Sequence, residues 1–406
     1  MAKLLRKRNA WKKVQEAAAV LAISTICGCG GKSGPGPSSP PPSTGASQEA
    51  VGVSGTQMTL NGSPWLSRGV VLQGFVRPLS TLQAEAASDP EAAHLLNARM
   101  NYGSAELAAI QKFHADTIRF QISQPALDPS SALYDANYLN DVTSAIQTAR
   151  QDGLVVMIMM QDESITGDAG EAPLPTAETQ SDWDKLTPVF GADRGVVFEL
   201  YNEPNLLASA ANWELWKDGW LVAGQTEPSI GMQALIDHIR GNGAQNVLVL
   251  DGLAVQVQAS NASVREAAMT LQGVPALTDP LGRLVYAVHP YQHGITDESH
   301  WDGEFGIPSM SMPVWADEWS APEGLALGLG SLTDYQVAVD FLNYLRAHSI
   351  SLCTGAFDVK QFVVQDVPGW TLTNYDSTST MKSSGTLVYN DFAADYSREL
   401  TGADGL

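Results

Sequence analysis

From residue 55 onward, short apolar runs alternate along the chain with longer amphipathic stretches. Most of these runs are continuously apolar and do not alternate with polar residues, which is typical of parallel strands covered on both faces. They predict eight strands: RGVVLQGF (68–75), ADTIRFQI (115–122), GLVVMIMM (153–160), GVVFELYN (195–202), NVLVLDG (246–252), RLVYAVHP (283–290), MPVWADEW (312–319) and LCTGAFDV (352–359).

The stretches between the strands have helical periodicity. Residues 138–153 place apolar side chains on one face and end at Gly153, and residues 231–246 repeat that design. This alternation of strands and helices predicts an α/β protein, a (β/α)8 barrel that forms one catalytic domain over residues 55–406. A doubly wound open sheet is the main alternative, but no Gly-rich phosphate loop follows the first strand.

Polar and charged side chains gather where the predicted strands end. The active site of a (β/α)8 barrel lies at the carboxyl ends of its strands, so residues at these ends are candidates for a site. Six of the eight predicted strands carry them: Arg119 and Gln121, Gln161 and Asp162, Asn202 and Glu203, His289 and Tyr291, Asp317 and Glu318, and Asp358.

The residue types at these strand ends limit the chemistry. The sequence lacks HExxH, every Cys/His metal spacing and the G-x-S-x-G elbow of serine hydrolases. Two carboxylates that face each other across a cleft suit glycoside hydrolysis, in which one protonates the leaving oxygen and the other attacks the anomeric carbon or activates water. We therefore expect neither a metal nor a cofactor.

Three motifs, in chain order, carry a family resemblance. FELYNEPN closes the fourth predicted strand, HPYQH the sixth and ADEWS the seventh. Together they resemble glycoside hydrolase family 5, the cellulase family, and the resemblance covers roughly residues 55–400. It implies a (β/α)8 barrel and a retaining mechanism, for which the two carboxyl groups lie about 5–5.5 Å apart.

The resemblance implies a role for each matching residue. Glu203 becomes the general acid/base and Glu318 the nucleophile. Asn202 bonds the sugar 2-hydroxyl, while Arg119 and Tyr291 keep Glu318 ionised and oriented. A guanidinium and a phenol beside a carboxylate lower its pKa, which agrees with that assignment.

Three further positions complete the implied site. His289 contacts the acid/base or the substrate, and Trp370 in VPGWTL is the platform for the sugar that is attacked. Gln161 departs from the family, which has a His at the end of the third strand. Gln can bond a sugar hydroxyl but cannot titrate, so this position bears on the choice of substrate.

Some residues have competing interpretations. Asp317 is a possible nucleophile in place of Glu318, but strand alternation points neighbours to opposite sides. Glu199 lies deeper on the fourth strand and is interpreted as a buried, hydrogen-bonded acid. Three tryptophans in NWELWKDGW either stack on sugars or pack a helix on the barrel: Trp213, Trp216 and Trp220.

The N-terminal residues predict export. MAKLLRKRNAWKK is a basic leader, and the apolar run that follows it is too short to span a bilayer. ICGC resembles a lipobox, which makes residues 1–28 a lipoprotein-type signal peptide and Cys29 the lipid anchor; an ordinary secretory signal is the alternative. Residues 29–54 then read as the anchor and a Gly/Ser/Pro-rich linker. We expect a bacterial envelope lipoprotein or a secreted protein.

The net charge limits the classes of partner that the chain can bind, and the cysteine content limits its disulfides. The net charge is −21, and residues 1–50 hold seven Lys/Arg and two Asp/Glu, so the rest of the chain carries −26. Such a surface repels phosphate backbones, so we expect no nucleic-acid partner. Beyond the leader and the Cys29 anchor, Cys353 is the single cysteine, which excludes an internal disulfide and predicts a buried thiol.

The sequence therefore predicts a monomeric, retaining hydrolase of β-linked polysaccharide, with an endo-β-1,4-glucanase as the first choice. A β-mannanase or an exo-acting β-glucosidase fits the same residues, because loops select the substrate. From another class, a non-catalytic glycan-binding protein on the same barrel is the alternative, although the presence of both glutamates argues against it.

Overall fold

The computed structural model describes residues 49–168, 172–255, 269–291, 297–319, 332–359, 383–394 and 400. Residues 47–406 form one compact unit. The predicted signal peptide, Cys29, most of the predicted linker and Trp370 lie outside the described residues.

Eight parallel strands close into a barrel in which each strand pairs with its sequence neighbours and the last pairs with the first. All eight predicted strands are confirmed, and the open-sheet alternative is wrong. The strands are β1 Arg68–Leu72, β2 Thr117–Ser123, β3 Val155–Gln161, β4 Val196–Glu199, β5 Leu248–Asp251, β6 Leu284–Val288, β7 Val314–Trp319 and β8 Ser351–Thr354.

Helices surround the barrel and return the chain from one strand to the next. The two predicted helices are confirmed, and each is followed by a glycine with positive φ, Gly153 at 83° and Gly243 at 89°. No helix in the described ranges is long and apolar enough to cross a membrane. The helices are Leu79–Glu85, Pro90–Asn101, Ser104–Lys112, Gln124–Leu127, Tyr138–Gln151, Ala177–Phe190, Ala210–Asp218, Met232–Gly241, Glu298–Trp301, Ile307–Ser309, Leu332–Ala347 and Ser383–Ala393, with a 3₁₀ turn at Ser164–Thr166 and a π turn at Asp302–Gly306.

Most strands are apolar on both faces because each face packs in a separate core. Side chains at alternate positions fill the inside of the barrel, while the intervening ones pack outward against the helices. Cys353 belongs to the inner cluster and is fully buried, as expected. The inner cluster also includes Val71, Val155, Met157, Val197, Val249, Val285, Ala287 and Trp315.

A small sheet covers the amino ends of the barrel strands, which we call the lower end. Its strands are Val51–Ser54, Gln57–Leu60 and Ser63–Pro64. The last two join through Asn61 and Gly62, at φ 53° and 80°, a pair of left-handed residues typical of a hairpin turn.

This sheet corrects the predicted domain boundary. The linker was expected to run to residue 54, but Val51 is fully buried and packs with Met58 against the inner barrel cluster. Trp65 follows the sheet, meets Trp315 edge to face at 6.0 Å and donates its indole N–H to Asp116. The folded unit therefore begins several residues earlier than the strand pattern predicted, because residues 51–54 supply part of the cover.

Candidate active site

Arg119 lies at the centre of the residues gathered at the carboxyl ends of the strands. It projects from β2 and is completely buried. Its Nε and Nη2 donate to the two carboxylate oxygens of Glu199 at 2.6 and 2.5 Å, and Nη2 also donates to Asn202 Oδ1 at 2.8 Å. Nη1 donates to Glu318. Arg119 thus connects β2 with Glu199 and Asn202 at the end of β4 and with Glu318 on β7. Glu199 is the buried, hydrogen-bonded acid that the sequence predicted.

Glu318 is surrounded by donors. Its Oε2 accepts from Arg119 and, at 3.2 Å, from the amide of Gln121, while its Oε1 accepts from the Tyr291 hydroxyl. Burial alone would raise the pKa of Glu318, but the charges on Arg119 and His289 and the bond from Tyr291 outweigh burial and bring the pKa to about 2. Glu318 is therefore a carboxylate at neutral pH, as a nucleophile must be.

A register shift in β7 explains how two adjacent acids reach the same region. Trp315 points into the barrel, so simple alternation places Asp317 inside and Glu318 outside. The pairing of β7 with β8 is irregular between Ala316 and Trp319. Such a bulge re-aims side chains. Asp317 stays in the barrel centre, fully buried, and Glu318 turns toward the cleft with 16% of its side chain exposed.

Glu203 faces Glu318 from the loop after β4. Its backbone has φ 45°, in the left-handed region that non-glycine residues rarely adopt, at a cost of about 1–3 kcal/mol. Its backbone N–H donates to Asp251 Oδ2 at 2.8 Å, and its Oε1 lies 2.6 Å from His289 Nδ1. With 15% of its side chain exposed, Glu203 reaches the cleft while its backbone is held from below.

His289 connects Glu203 to the buried acids. Its Nε2 lies 3.3 Å from Asp317 Oδ1 and 3.6 Å from Asp251 Oδ2. Burial would lower the pKa of His289, but the carboxylates of Glu318, Asp317, Glu203 and Asp251 raise it well above its ordinary value. These carboxylates therefore favour the charged form of the imidazole.

The distance between the two candidate catalytic acids distinguishes the retaining from the inverting geometry of glycosidases. A carboxylate oxygen of Glu203 and one of Glu318 lie within 4.8 Å of each other. Retaining glycosidases hold their carboxyl groups about 5–5.5 Å apart, whereas inverting enzymes need about 6.5–9.5 Å to admit a water. The separation of these two oxygens is closer to the retaining geometry than to the inverting one.

Asn202 and Gln161 border the same cleft. Asn202 is buried, accepts from Arg119 and donates its amide to Glu163 Oε1 at 2.6 Å. Gln161 ends β3 on the side of that strand that carries Met157 into the barrel, and its Oε1 has no hydrogen-bond partner among the described residues. Gln161 is 3% exposed and this oxygen is buried, so its contact with a sugar hydroxyl stays a prediction.

Asp251 and Glu163 belong to the site but were not singled out from the sequence. Asp251 closes β5 directly before Gly252, so the strand-end criterion that selected Glu203 and Glu318 would also have selected Asp251. Glu163 lies two residues beyond β3, in a loop whose direction the strand pattern does not indicate.

Two of the three tryptophans of NWELWKDGW pack against the barrel, and the third is exposed. Trp213 and Trp216 are buried on the helix Ala210–Asp218 and meet edge to face at 5.3 Å. They therefore pack that helix on the barrel. Trp220 follows the helix and is 74% exposed.

The site also contains two groups of side chains whose ligand atoms are close enough to consider a metal. In each group these atoms lie within 4.8 Å of one another. Arg119 bonds Glu199 twice and its Nη2 lies 3.3 Å from His289 Nε2, so a cation there would sit beside a fixed guanidinium charge. The donors therefore fit an ion-pair network better than a metal centre. The groups are Glu203, His289 and Glu318, and Glu199, Asp251, His289 and Asp317.

Tyr291→Phe is expected to move the acidic limb of the pH profile of kcat/KM to higher pH. The hydroxyl helps to lower the pKa of Glu318, so its loss raises that pKa, by about one unit for a charged hydrogen bond. Because the nucleophile acts when ionised, activity is then lost at a higher pH as the solution is acidified. Tyr389→Phe, remote from the site, is the control, and an unmoved limb in Tyr291→Phe would contradict the assignment.

The comparisons with known proteins agree with this geometry. The family model for cellulase, glycosyl hydrolase family 5, matches residues 97–351. A manganese dependent endoglucanase from Phanerodontia chrysosporium is 25% identical over 175 residues, which cover 41% of this chain and 40% of that protein. The chain thus spans less than half the length of that relative.

Solved structures share the fold at low sequence identity. A beta-glucanase from Saccharophagus degradans in complex with cellotetraose is 16% identical, with a TM-score of 0.56 over 85% of this chain and 92% of that one. A beta-mannanase from Thermomonospora fusca, in complex with mannotriose, is 15% identical, with a TM-score of 0.52 over 88% and 99%. The family match spans more than half of the chain and includes β2 to β7 with both candidate catalytic glutamates. The chain therefore belongs to glycosyl hydrolase family 5, the cellulase family.

Proposed function

We propose that this protein is a retaining, endo-acting β-1,4-glucanase with Glu203 as acid/base and Glu318 as nucleophile. The observation that carries the proposal is the pair of facing carboxylates within 4.8 Å, of which one is held as an anion by Arg119 and Tyr291. A pair at this distance in unequal surroundings suits a double displacement.

The chemistry follows from the surroundings of the two acids. Glu318 attacks the anomeric carbon, the glycosidic bond breaks, and Glu203 gives its proton to the departing oxygen, which leaves a glycosyl ester on Glu318. Glu203, now a carboxylate, takes a proton from water as that water attacks the anomeric carbon and releases Glu318. The His289 contact to Glu203 Oε1 and the Asp251 bond to its backbone hold the acid/base through both steps.

A cavity along the loop that carries Glu203 supports an extended substrate. A cavity of about 480 Å³ lies among the loops after β4 and β5, and the first of these loops also carries Glu203. The loops meet where Leu207 bridges Ala254. We propose that this cavity receives sugars of the leaving group; Leu207 to Ala210 line it, and Glu203 precedes them in the same loop. The names of the endoglucanase and of the beta-glucanase with cellotetraose point to β-glucan.

A polysaccharide panel tests the proposal. Purified residues 47–406 are incubated with carboxymethylcellulose, mixed-linkage β-glucan, β-mannan and xyloglucan, and both reducing ends and viscosity are followed. We expect the highest rate on a β-1,4-glucan and a fall in viscosity that precedes the release of most reducing ends. Preference for mannan, or release of reducing ends at constant viscosity, would contradict the substrate or the endo mode. Binding without cleavage would contradict the activity itself.

We expect activity without an added metal, although the fungal relative is named as manganese dependent. The reason is that Arg119 already supplies the positive charge among the buried acids. Rates are compared after dialysis against EDTA, with and without Mn²⁺. A loss of most activity in EDTA that Mn²⁺ restores would contradict this expectation.

We also propose that the chain is a lipoprotein anchored through Cys29, on the support of the basic leader and the ICGC motif. Cys29→Ser is expected to move the protein from the membrane fraction to the soluble fraction and to abolish incorporation of labelled fatty acid. Cys27→Ser is the matched control and should remain in the membrane fraction. Equal fractionation of Cys29→Ser and the unaltered protein would contradict the anchor.

A further inference from the structure

We propose that Asp251 is a positioning residue for acid catalysis: its carboxylate accepts the backbone N–H of Glu203 and so holds the acid/base in the conformation that aims it at the leaving oxygen. The inference rests on the proposed function and assigns a role to a residue that does not touch the sugar.

The contact lies where the chain leaves the barrel wall. β4 ends at Glu199, and Asn202 N still bonds Met160 O of β3 at 2.9 Å. On the other side, the neighbour is β5, and there Glu203 N bonds a side chain, Asp251 Oδ2, at 2.8 Å. Asp251 thus replaces the backbone acceptor that a continuing strand would supply.

That replacement explains the unusual backbone of Glu203. Left-handed φ is disfavoured for a glutamate and persists where surrounding contacts enforce it. Among the described contacts of Glu203, two act on opposite parts of the residue: Asp251 holds the backbone N–H, and His289 lies 2.6 Å from Oε1. With the first removed, the backbone is free to return to the extended region, and the carboxyl group no longer stays fixed beside Glu318.

Asp251 is itself rigidly held. It is completely buried, and its backbone carbonyl accepts from the Trp216 indole at 3.0 Å. The next residue, Gly252, lies so close to the Thr270 carbonyl that a Cβ would be 2.3 Å from that oxygen. The backbone that carries the Asp251 carboxylate is therefore fixed in position. Its other oxygen, Oδ1, has no hydrogen-bond partner among the described residues, so the hydrogen bond of the carboxylate is the one to Glu203 N, with His289 Nε2 lying 3.6 Å from Oδ2.

The test is the dependence of kcat/KM on the leaving group, measured with a series of aryl β-cellobiosides. Acid catalysis matters for poor leaving groups such as phenol and little for good ones such as 2,4-dinitrophenol, and kcat/KM reports the first chemical step. Asp251→Ala is compared with Asp251→Asn, which keeps an acceptor oxygen. The matched control is Asp116→Asn, at another carboxylate that accepts a backbone N–H, from Arg68 at 2.9 Å, at the lower end of the barrel.

Asp251→Ala is expected to lower kcat/KM roughly 10²-fold for the phenyl substrate and by less than about threefold for the dinitrophenyl substrate. Asp251→Asn should recover most of the loss, and Asp116→Asn should leave the leaving-group dependence unchanged. Active sites are counted by trapping Glu318 with a 2-deoxy-2-fluoro cellobioside, so a partly unfolded sample does not distort the rates.

Two results would overturn the inference. One is an equal loss for all leaving groups in Asp251→Ala, which a merely structural role produces. The other is a leaving-group dependence in Asp251→Asn as steep as in the alanine variant, which also decides the case when Asp251→Ala does not fold. If the unaltered enzyme cleaves none of the cellobiosides, the proposed function fails instead, and the two failures are distinct.

Discussion

Glu318→Ala is expected to lower kcat/KM for every glycoside by roughly 10⁴-fold or more, because the attacking group itself is lost. The loss should not depend on the leaving group, since every substrate reacts through attack by the nucleophile. Azide fits the space that the side chain vacates and attacks the anomeric carbon of an activated aryl glycoside from the same face. The product should be a glycosyl azide of inverted configuration, which is identified by NMR.

Glu106→Gln is the control for this variant, because Glu106 carries a buried carboxyl group on the helix Ser104–Lys112, outside the site. It should keep near-normal kcat. Glu318→Ala with polysaccharide activity close to that of the unaltered enzyme, or an azide product of retained configuration, would show that Glu318 is not the nucleophile. Asp317→Ala would then be the next variant to measure, since Asp317 lies beside His289.

Glu203→Ala is expected to separate the two chemical steps. For poor leaving groups kcat/KM should fall by about 10²–10⁴-fold, because the departing oxygen receives no proton. For a dinitrophenyl glycoside the first step should persist while the second stalls, because no base activates water. A burst of dinitrophenol followed by slow turnover is the expected time course.

Azide should restore turnover of the dinitrophenyl substrate in Glu203→Ala. It needs no base, attacks the ester on Glu318 and gives a glycosyl azide of retained configuration, the opposite of the Glu318→Ala product. Glu203→Gln serves as an isosteric companion and should show the same pattern. A uniform loss for all leaving groups, without a burst, would show that position 203 supports the fold and not proton transfer.

The barrel was predictable because most strands are apolar on both faces, and six of the eight predicted strands carry residues that an inner core does not accept. Arg119, Glu203 and Glu318 stand out for that reason: burial of such groups without partners is costly, so their presence at the ends of apolar runs indicates a site. The same reasoning applied to β5 would have found Asp251.

Other features could be recognised only from the backbone of the structure. Strand alternation predicts that the side chain of Glu318 points out of the barrel. An irregular pairing between Ala316 and Trp319 turns it toward the cleft instead, and the sequence ADEW does not indicate this bulge. The left-handed φ of Glu203 is likewise enforced by a side chain from another strand. The lower boundary was missed because residues 51–54 form too short a strand to stand out beside a Gly/Ser/Pro-rich segment.

The cover at the lower end places the first described residues of the chain at the amino ends of the barrel strands. Glu49 lies 2.9 Å from the Arg150 guanidinium, and Val51 N bonds Arg194 O two residues ahead of β4, so the chain enters at the amino ends of the strands. The cleft opens at the other end. The first described residues therefore lie at the end of the barrel opposite Glu203 and Glu318. Immobilisation on beads through the N-terminus should for the same reason leave fibre hydrolysis intact.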